Sequence, residues 1–95
     1  MGKEVTLFSS EERKSRAEVC TFLRNLADRL ESGRVTLRQG GEELALDLPE
    51  KLVLEVKVED EKKKSKGVQH SLEIELKWWP GIDSEGGAAG GVSLG

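Results

Sequence analysis

"RVTLRQGGEELALD", residues 34 to 47, reads as two short strands folded back on each other at Gly40-Gly41. Neighbouring side chains of a strand point to opposite faces. A two-residue turn, where glycine supplies the positive φ that such turns need, sets Gln39 against Glu42 and fixes every other pair. Arg38 then faces Glu43, Leu37 faces Leu44, Val35 faces Leu46 and Arg34 faces Asp47. Apolar residues meet on one face and arginines meet acids on the other. Cross-strand pairs of this kind contribute about 0.2–1 kcal/mol each. A slip of one residue would set Leu37 against an acid, so the register is specified.

Upstream lies "SSEERKSRAEVCTFLRNLADRLESG", residues 9 to 33. Ser15 followed three residues later by Glu18 is a capping box, the start signal of a helix. Val19, Phe22, Leu23, Leu26 and Leu30 then recur at spacings of three and four, one apolar stripe. Gly33 stops the helix, as glycine does just past a C-terminus. Before it, "EVTLF" (4–8) alternates and is expected to be a short strand.

Downstream, Pro49 cannot donate a ladder hydrogen bond and suits a turn or strand boundary. Pairing Leu48 with Leu52 would align Leu46 with Leu54, Leu44 with Val56 and Glu43 with Lys57. A final hairpin joins "LVLEVKVEDEKKK" to "VQHSLEIELKWW" through Ser65-Lys66-Gly67. The expected register sets Val58 against Ile74, Val56 against Leu76 and Leu54 against Trp78. On the other face it sets Lys57 against Glu75, Glu55 against Lys77 and Val53 against Trp79. Its one fault is Glu59 facing Glu73. Trp78 shares parity with Leu72, Ile74 and Leu76 and is assigned to the core face, under the helix. Trp79 falls on the outer face.

The expected architecture is α+β: an N-terminal strand, one amphipathic helix, then a four-stranded antiparallel meander with the helix packed on one face. The outer face, with Arg34, Arg38, Glu43, Asp47, Glu55, Lys57, Glu73, Glu75 and Lys77, is expected to be solvated. Where the first strand docks is left open by parity. The folded domain is placed at 3–79. "PGIDSEGGAAGGVSLG" from Pro80 is rich in glycine and reads as a flexible tail over 80–95.

Composition narrows the function classes. Ninety-five residues make one small domain. A charged fraction of 35% with both signs interleaved fits a soluble globular chain. A net charge of −3 argues against a polyanionic partner. The apolar runs are too short for a transmembrane helix, and the N-terminus lacks the apolar stretch of a signal peptide. The Met-Gly start has a lipidation reading, outweighed by glycine's frequency as a second residue. One cysteine, Cys20, excludes an internal disulfide and fits a reducing cytoplasm.

The helix, the "LRQGGEEL" hairpin and the strand "SLEIELKW" ending in tryptophan resemble, in their spacing, the amphi-Trp domain, a small bacterial and archaeal family. The resemblance covers residues 4 to 78, with Trp78 at the family's tryptophan position. It implies no enzymatic role, ligand or catalytic residue. Trp79 and the tail lie beyond the resemblance.

Chemistry-bearing residues are sparse. His70 is the only histidine and stands near a hairpin tip, with no ligands spaced to share a metal. Cys20 sits on the flank of the helix stripe without a base beside it and is expected to be partly buried packing. Glu55, Glu59, Glu73 and Glu75 share a face but alternate with Lys57 and Lys77, as in a charge-laddered surface. No catalytic residue, metal site or cofactor is expected.

Two surfaces are left. Trp79, with Val53 opposite and Ala45 one strand over, would form an apolar patch on a charged face, a candidate interface. The alternative is a terminal tryptophan lying over the sheet end, shielded by the tail. Lys62, Lys63, Lys64 and Lys66 form a basic hairpin tip that could touch phosphates. Acids precede it and no aromatic is interleaved to stack on bases, so a solvated tip is the plainer reading. The sequence therefore points to a small non-catalytic cytoplasmic domain that binds another protein or its own copy, without a membrane. The alternative is a nucleic-acid-associated domain using the 62–66 tip.

Overall fold

The computed structural model describes residues 2–80 and 91–95. Its elements are α1 (Arg16–Ser32), β1 (Arg34–Gln39), β2 (Glu42–Asp47), β3 (Val53–Lys63) and β4 (Gly67–Lys77). The chain is α+β, with one helix and four antiparallel strands. The strands form two two-stranded sheets, β1–β2 and β3–β4, in place of one meander. Contacts group the chain into two compact units, Met1–Leu48 and Pro49–Gly95.

In the first unit, the capping box starts α1. Ser15 Oγ accepts from the Glu18 amide at 3.1 Å, and the Ser15 amide donates to Glu18 Oε1 at 2.9 Å. That second bond, aided by Lys14, holds the Glu18 carboxyl below the ordinary carboxylate range. Gly33 ends the helix with φ +83°, a left-handed value that costs glycine little, and its amide donates to the Leu30 carbonyl at 3.0 Å. The Gly33 carbonyl then accepts from the Leu48 amide at 2.8 Å, so the helix stop also closes the far end of the hairpin.

The β1–β2 register matches the expected one at every position, from Arg34 opposite Asp47 to Gln39 opposite Glu42. Arg34 reaches Asp47 at 3.2 Å and Arg38 bonds Glu43, as the paired charges require. Only Gly40 takes a positive φ, +58°, which makes the turn type II′, with glycine at its first central position. α1 packs on β1, and Val35, 5% exposed, is the buried hydrophobic residue among those described. Leu26, Leu30, Leu37, Leu44 and Leu46 are half-buried around it. Full burial of a valine contributes about 1.5–3 kcal/mol, so this cluster is small.

The N-terminal strand expected at 4–8 does not form: the segment has no regular structure, is exposed at Val5 and Leu7, and pairs with no strand. Alternation fits a segment to a sheet edge, but ladder bonds make it a strand, and here those are absent.

The second unit is one long hairpin. Its register differs from the expected one by two residues: Val58 faces Leu72, Val56 faces Ile74 and Leu54 faces Leu76. The loop is Lys64-Ser65-Lys66, and Gly67 closes it at φ +81° as the first residue of β4. The physical reason lies in the loop: Gly67 takes the left-handed φ that closes a three-residue turn, which makes it the first residue of β4 and sets Lys63 opposite it. The observed register replaces the Glu59–Glu73 clash with Lys57 opposite Glu73, and sets Asp60 opposite His70. Because the shift is two residues, every side chain keeps its face. Trp78, half-buried, falls just past the ladder, and Trp79 makes a single bridge beyond it. Pro80 is in a turn and residues 91–95 are exposed without regular structure; the rest of the expected tail lies outside the described residues.

The N-cap is the simplest part to test. Ser15→Ala should lower stability by about 1 kcal/mol, the usual cost of losing a serine cap, read as a drop in the melting midpoint. Glu18 has a lowered folded pKa, so its contribution is present above its unfolded value of about 4.3 and fades as pH falls through the lower folded value. The midpoint difference between wild type and Glu18→Gln should shrink over that acid window and be constant near neutrality.

Candidate functional site

Strand parity gives the β3–β4 hairpin two unlike faces. Leu54, Val56, Val58, Leu72, Ile74 and Leu76 stand on one, bounded toward the tip by Asp60 and His70. Most of this face is uncovered, with Val58 71% and Leu72 67% exposed. The opposite face carries Val53, Glu55, Lys57, Glu59, Ser71, Glu73, Glu75 and Lys77.

The charged face is a ladder of compensated groups. Glu55 lies directly opposite Glu75, a like-charge pair produced by the observed register. Lys77 relieves it by donating diagonally to Glu55 Oε1 at 2.9 Å. That bond holds Glu55 below the ordinary carboxylate range and raises Lys77 above the usual lysine range. The pairing is a solvated ion pair, not an acid–base couple in a cleft. His70 Nδ1 lies 2.6 Å from Asp60 Oδ1, both side chains being open to solvent. Among the described residues no group of three or more His, Cys, Asp and Glu side chains is placed to hold a metal ion. Cys20 is exposed, not partly buried as expected, because the helix stripe turns toward β1 at Leu26 and Leu30 while its N-terminal part stays open.

Trp79 is 50% exposed and stands beyond the end of β4. Its expected partner is different: Val53 pairs with Lys77, so the Val53–Trp79 rung does not form. Ala45 belongs to β2 in the first unit, opposite Thr36. The expected three-residue patch depended on a single meander, of which the β3–β4 ladder contradicts the Val53–Trp79 rung. The lysines of the tip also divide. Lys62 pairs with Val68 and Lys63 with Gly67, on opposite faces by parity, while Lys64 and Lys66 lie in the loop. Lys63, Lys64 and Lys66 border a shallow hollow of 620 Å³, and Lys63 is paired with Glu61 at 3.2 Å.

A second hollow, of 590 Å³, lies in the first unit between the N-terminal segment, α1 and β1. Phe8, Val19, Phe22 and Leu37 give it apolar walls, and Thr36 and Arg38 border it from the strand. Sequence reasoning missed this site because it exists only where residues 4–8 leave β1 without a neighbour.

The Glu55–Lys77 pair yields a prediction with a sign. Lys77→Met leaves Glu55 ionised against Glu75, so the variant should melt below wild type at pH 7. Glu55 has a lowered folded pKa, and its stabilising contribution is lost as pH falls through that value. The two melting midpoints should therefore converge in acid.

No helix among the described residues is long and apolar enough to cross a membrane. No curated protein and no solved structure matches the chain. The Amphi-Trp domain model matches residues 1–94, which takes in Trp79 and most of the glycine-rich tail beyond the span suggested by sequence resemblance. With its helix, its charge-paired hairpin and its amphipathic strand running into tryptophan, the chain belongs to the Amphi-Trp domain family.

Proposed function

We propose that the chain is a small non-catalytic protein-interaction module of the cytoplasm, and that it associates with its own copy through the β3–β4 hairpin. The observation that carries this reading is the uncovered apolar face of Leu54, Val56, Val58, Leu72 and Ile74. An isolated two-stranded hairpin is marginally stable in water and gains stability when its apolar face is covered. Burying a Val, Leu or Ile side chain contributes about 1.5–3 kcal/mol, so five partly exposed ones favour association. The face is self-complementary in kind, being apolar along its length, which suits a twofold contact between copies. Trp79 stands at the open end of the hairpin, half-exposed, and aromatic side chains there commonly anchor interfaces. A single cysteine and the lack of a long apolar helix among the described residues are compatible with a cytoplasmic setting.

A second reading is supported by the lysines at the 62–66 tip, which could contact nucleic-acid phosphates. The acids Glu59, Asp60 and Glu61 beside them and the net charge of −3 weigh against it. Binding of this kind would weaken steeply with salt.

Sedimentation across a concentration series separates these readings. The wild type should shift toward a dimer with rising concentration, while Leu72→Asp and Trp79→Ser remain monomers with unchanged circular dichroism. A wild type that stays monomeric throughout would overturn self-association. Salt-sensitive retention of a labelled oligonucleotide, lost when Lys62, Lys63, Lys64 and Lys66 are replaced by serine, would favour the second reading.

A further inference from the structure

The hollow in the first unit has a feature that a mere surface depression lacks. A two-residue turn makes Gln39 and Glu42 the first hydrogen-bonded pair, and such pairs alternate along an antiparallel ladder. Leu37–Leu44 and Val35–Leu46 are therefore bonded pairs, and the Leu48-to-Gly33 bond continues the same alternation. The amides and carbonyls of Thr36 and Arg38 consequently point away from β2. Among the described residues no backbone hydrogen bond reaches them. β1 thus presents an open edge of six residues beside a cavity walled by Phe8, Val19, Phe22 and Leu37.

We propose that this groove binds an extended segment of another protein, which adds to β1 as a third strand. Two donor–acceptor sets two residues apart, roughly 7 Å along the strand, match the repeat of a polypeptide backbone. Strand addition of this kind draws affinity from main-chain bonds and selectivity from pockets that take alternate side chains. Here the pocket is apolar and aromatic, so the inward side chains of the partner are apolar. The charges at its border are already engaged: Arg38 with Glu43, Lys14 with Glu12 at 3.1 Å, and Glu18 with the Ser15 amide. No charge is left calling for a counter-ion, so the outward residues of the partner strand are neutral and polar. The chain's own Glu4–Phe8 runs unpaired and places only Phe8 at the border, leaving the edge open.

The test uses the full chain and a soluble blocked peptide of alternating valine and threonine. Titration followed by amide NMR should be saturable. The Thr36 and Arg38 amides should become protected from exchange on binding, while those of Val35 and Leu37, already bonded to β2, should change little. Thr36→Pro removes an outward donor without touching the β1–β2 bonds and should weaken binding at least tenfold. Phe22→Asp, at a side chain 57% exposed, alters the wall without removing buried packing and should weaken it similarly. Non-saturable shifts, or affinity unchanged in Phe22→Asp, would overturn the proposal. So would a free aromatic such as indole filling the cavity while the peptide leaves both outward amides unprotected.

Discussion

The pleat of a strand is the constraint on which this molecule depends. Each hairpin sorts its side chains by parity, and in both the sorting separates apolar from charged residues completely enough to define two faces. In the first hairpin the separation is used within the unit: α1 lies over Val35, and the arginines and acids pair on the other side. The second hairpin has an equally clear apolar face without an element of its own unit laid over it. One sequence device thus yields a small packed cluster in one place and an uncovered surface in the other.

Electrostatics follow the register here more than they set it. Exposed ion pairs contribute little individually, because solvent screens them and the side chains lose freedom. Their placement does not decide between the alignments of the second hairpin, since each carries one like-charge pair, Glu59–Glu73 in the expected register and Glu55–Glu75 in the observed one. Leu54, Val56 and Val58 find apolar partners in either register of the second hairpin. In the observed one Glu59 lies opposite Ser71 and Asp60 meets His70. The cost is moved to Glu55 and Glu75, where Lys77 is within reach.

How legible each element was in the sequence follows from how many signals converged on it. The helix had a capping box, a stripe and a terminal glycine; the box and the glycine agree with the structure, and of the stripe Leu26 and Leu30 are half-buried while Val19, Phe22 and Leu23 are exposed. The first hairpin had a two-residue turn, which leaves one register available. In the second, "KKKSKG" allows the glycine to sit inside the loop or to close it, and parity cannot distinguish the two. The face of each residue was therefore readable, and its partner was not. "EVTLF" had alternation alone and did not become a strand. The patch of Trp79, Val53 and Ala45 required one continuous meander, and its Val53–Trp79 rung is replaced by Val53–Lys77, while the groove beside β1 required a missing neighbour, which no local pattern announces. Trp79 lies past the end of β4, so the parity of the strand does not fix its face.

The short connections have a kinetic consequence. β1 and β2 are joined by two residues, β3 and β4 by three, and α1 runs into β1 through Gly33 alone. Each unit is therefore built from contacts between elements adjacent in sequence, and none of those contacts must wait for a long loop to close. Chains of low contact order fold quickly, and hairpins close in about 1–10 μs. Formation of each hairpin should thus be governed by its own turn: a glycine at φ +58° in one, a glycine at φ +81° in the other. Speed of assembly in this molecule rests on two backbone angles that most other residues would hinder.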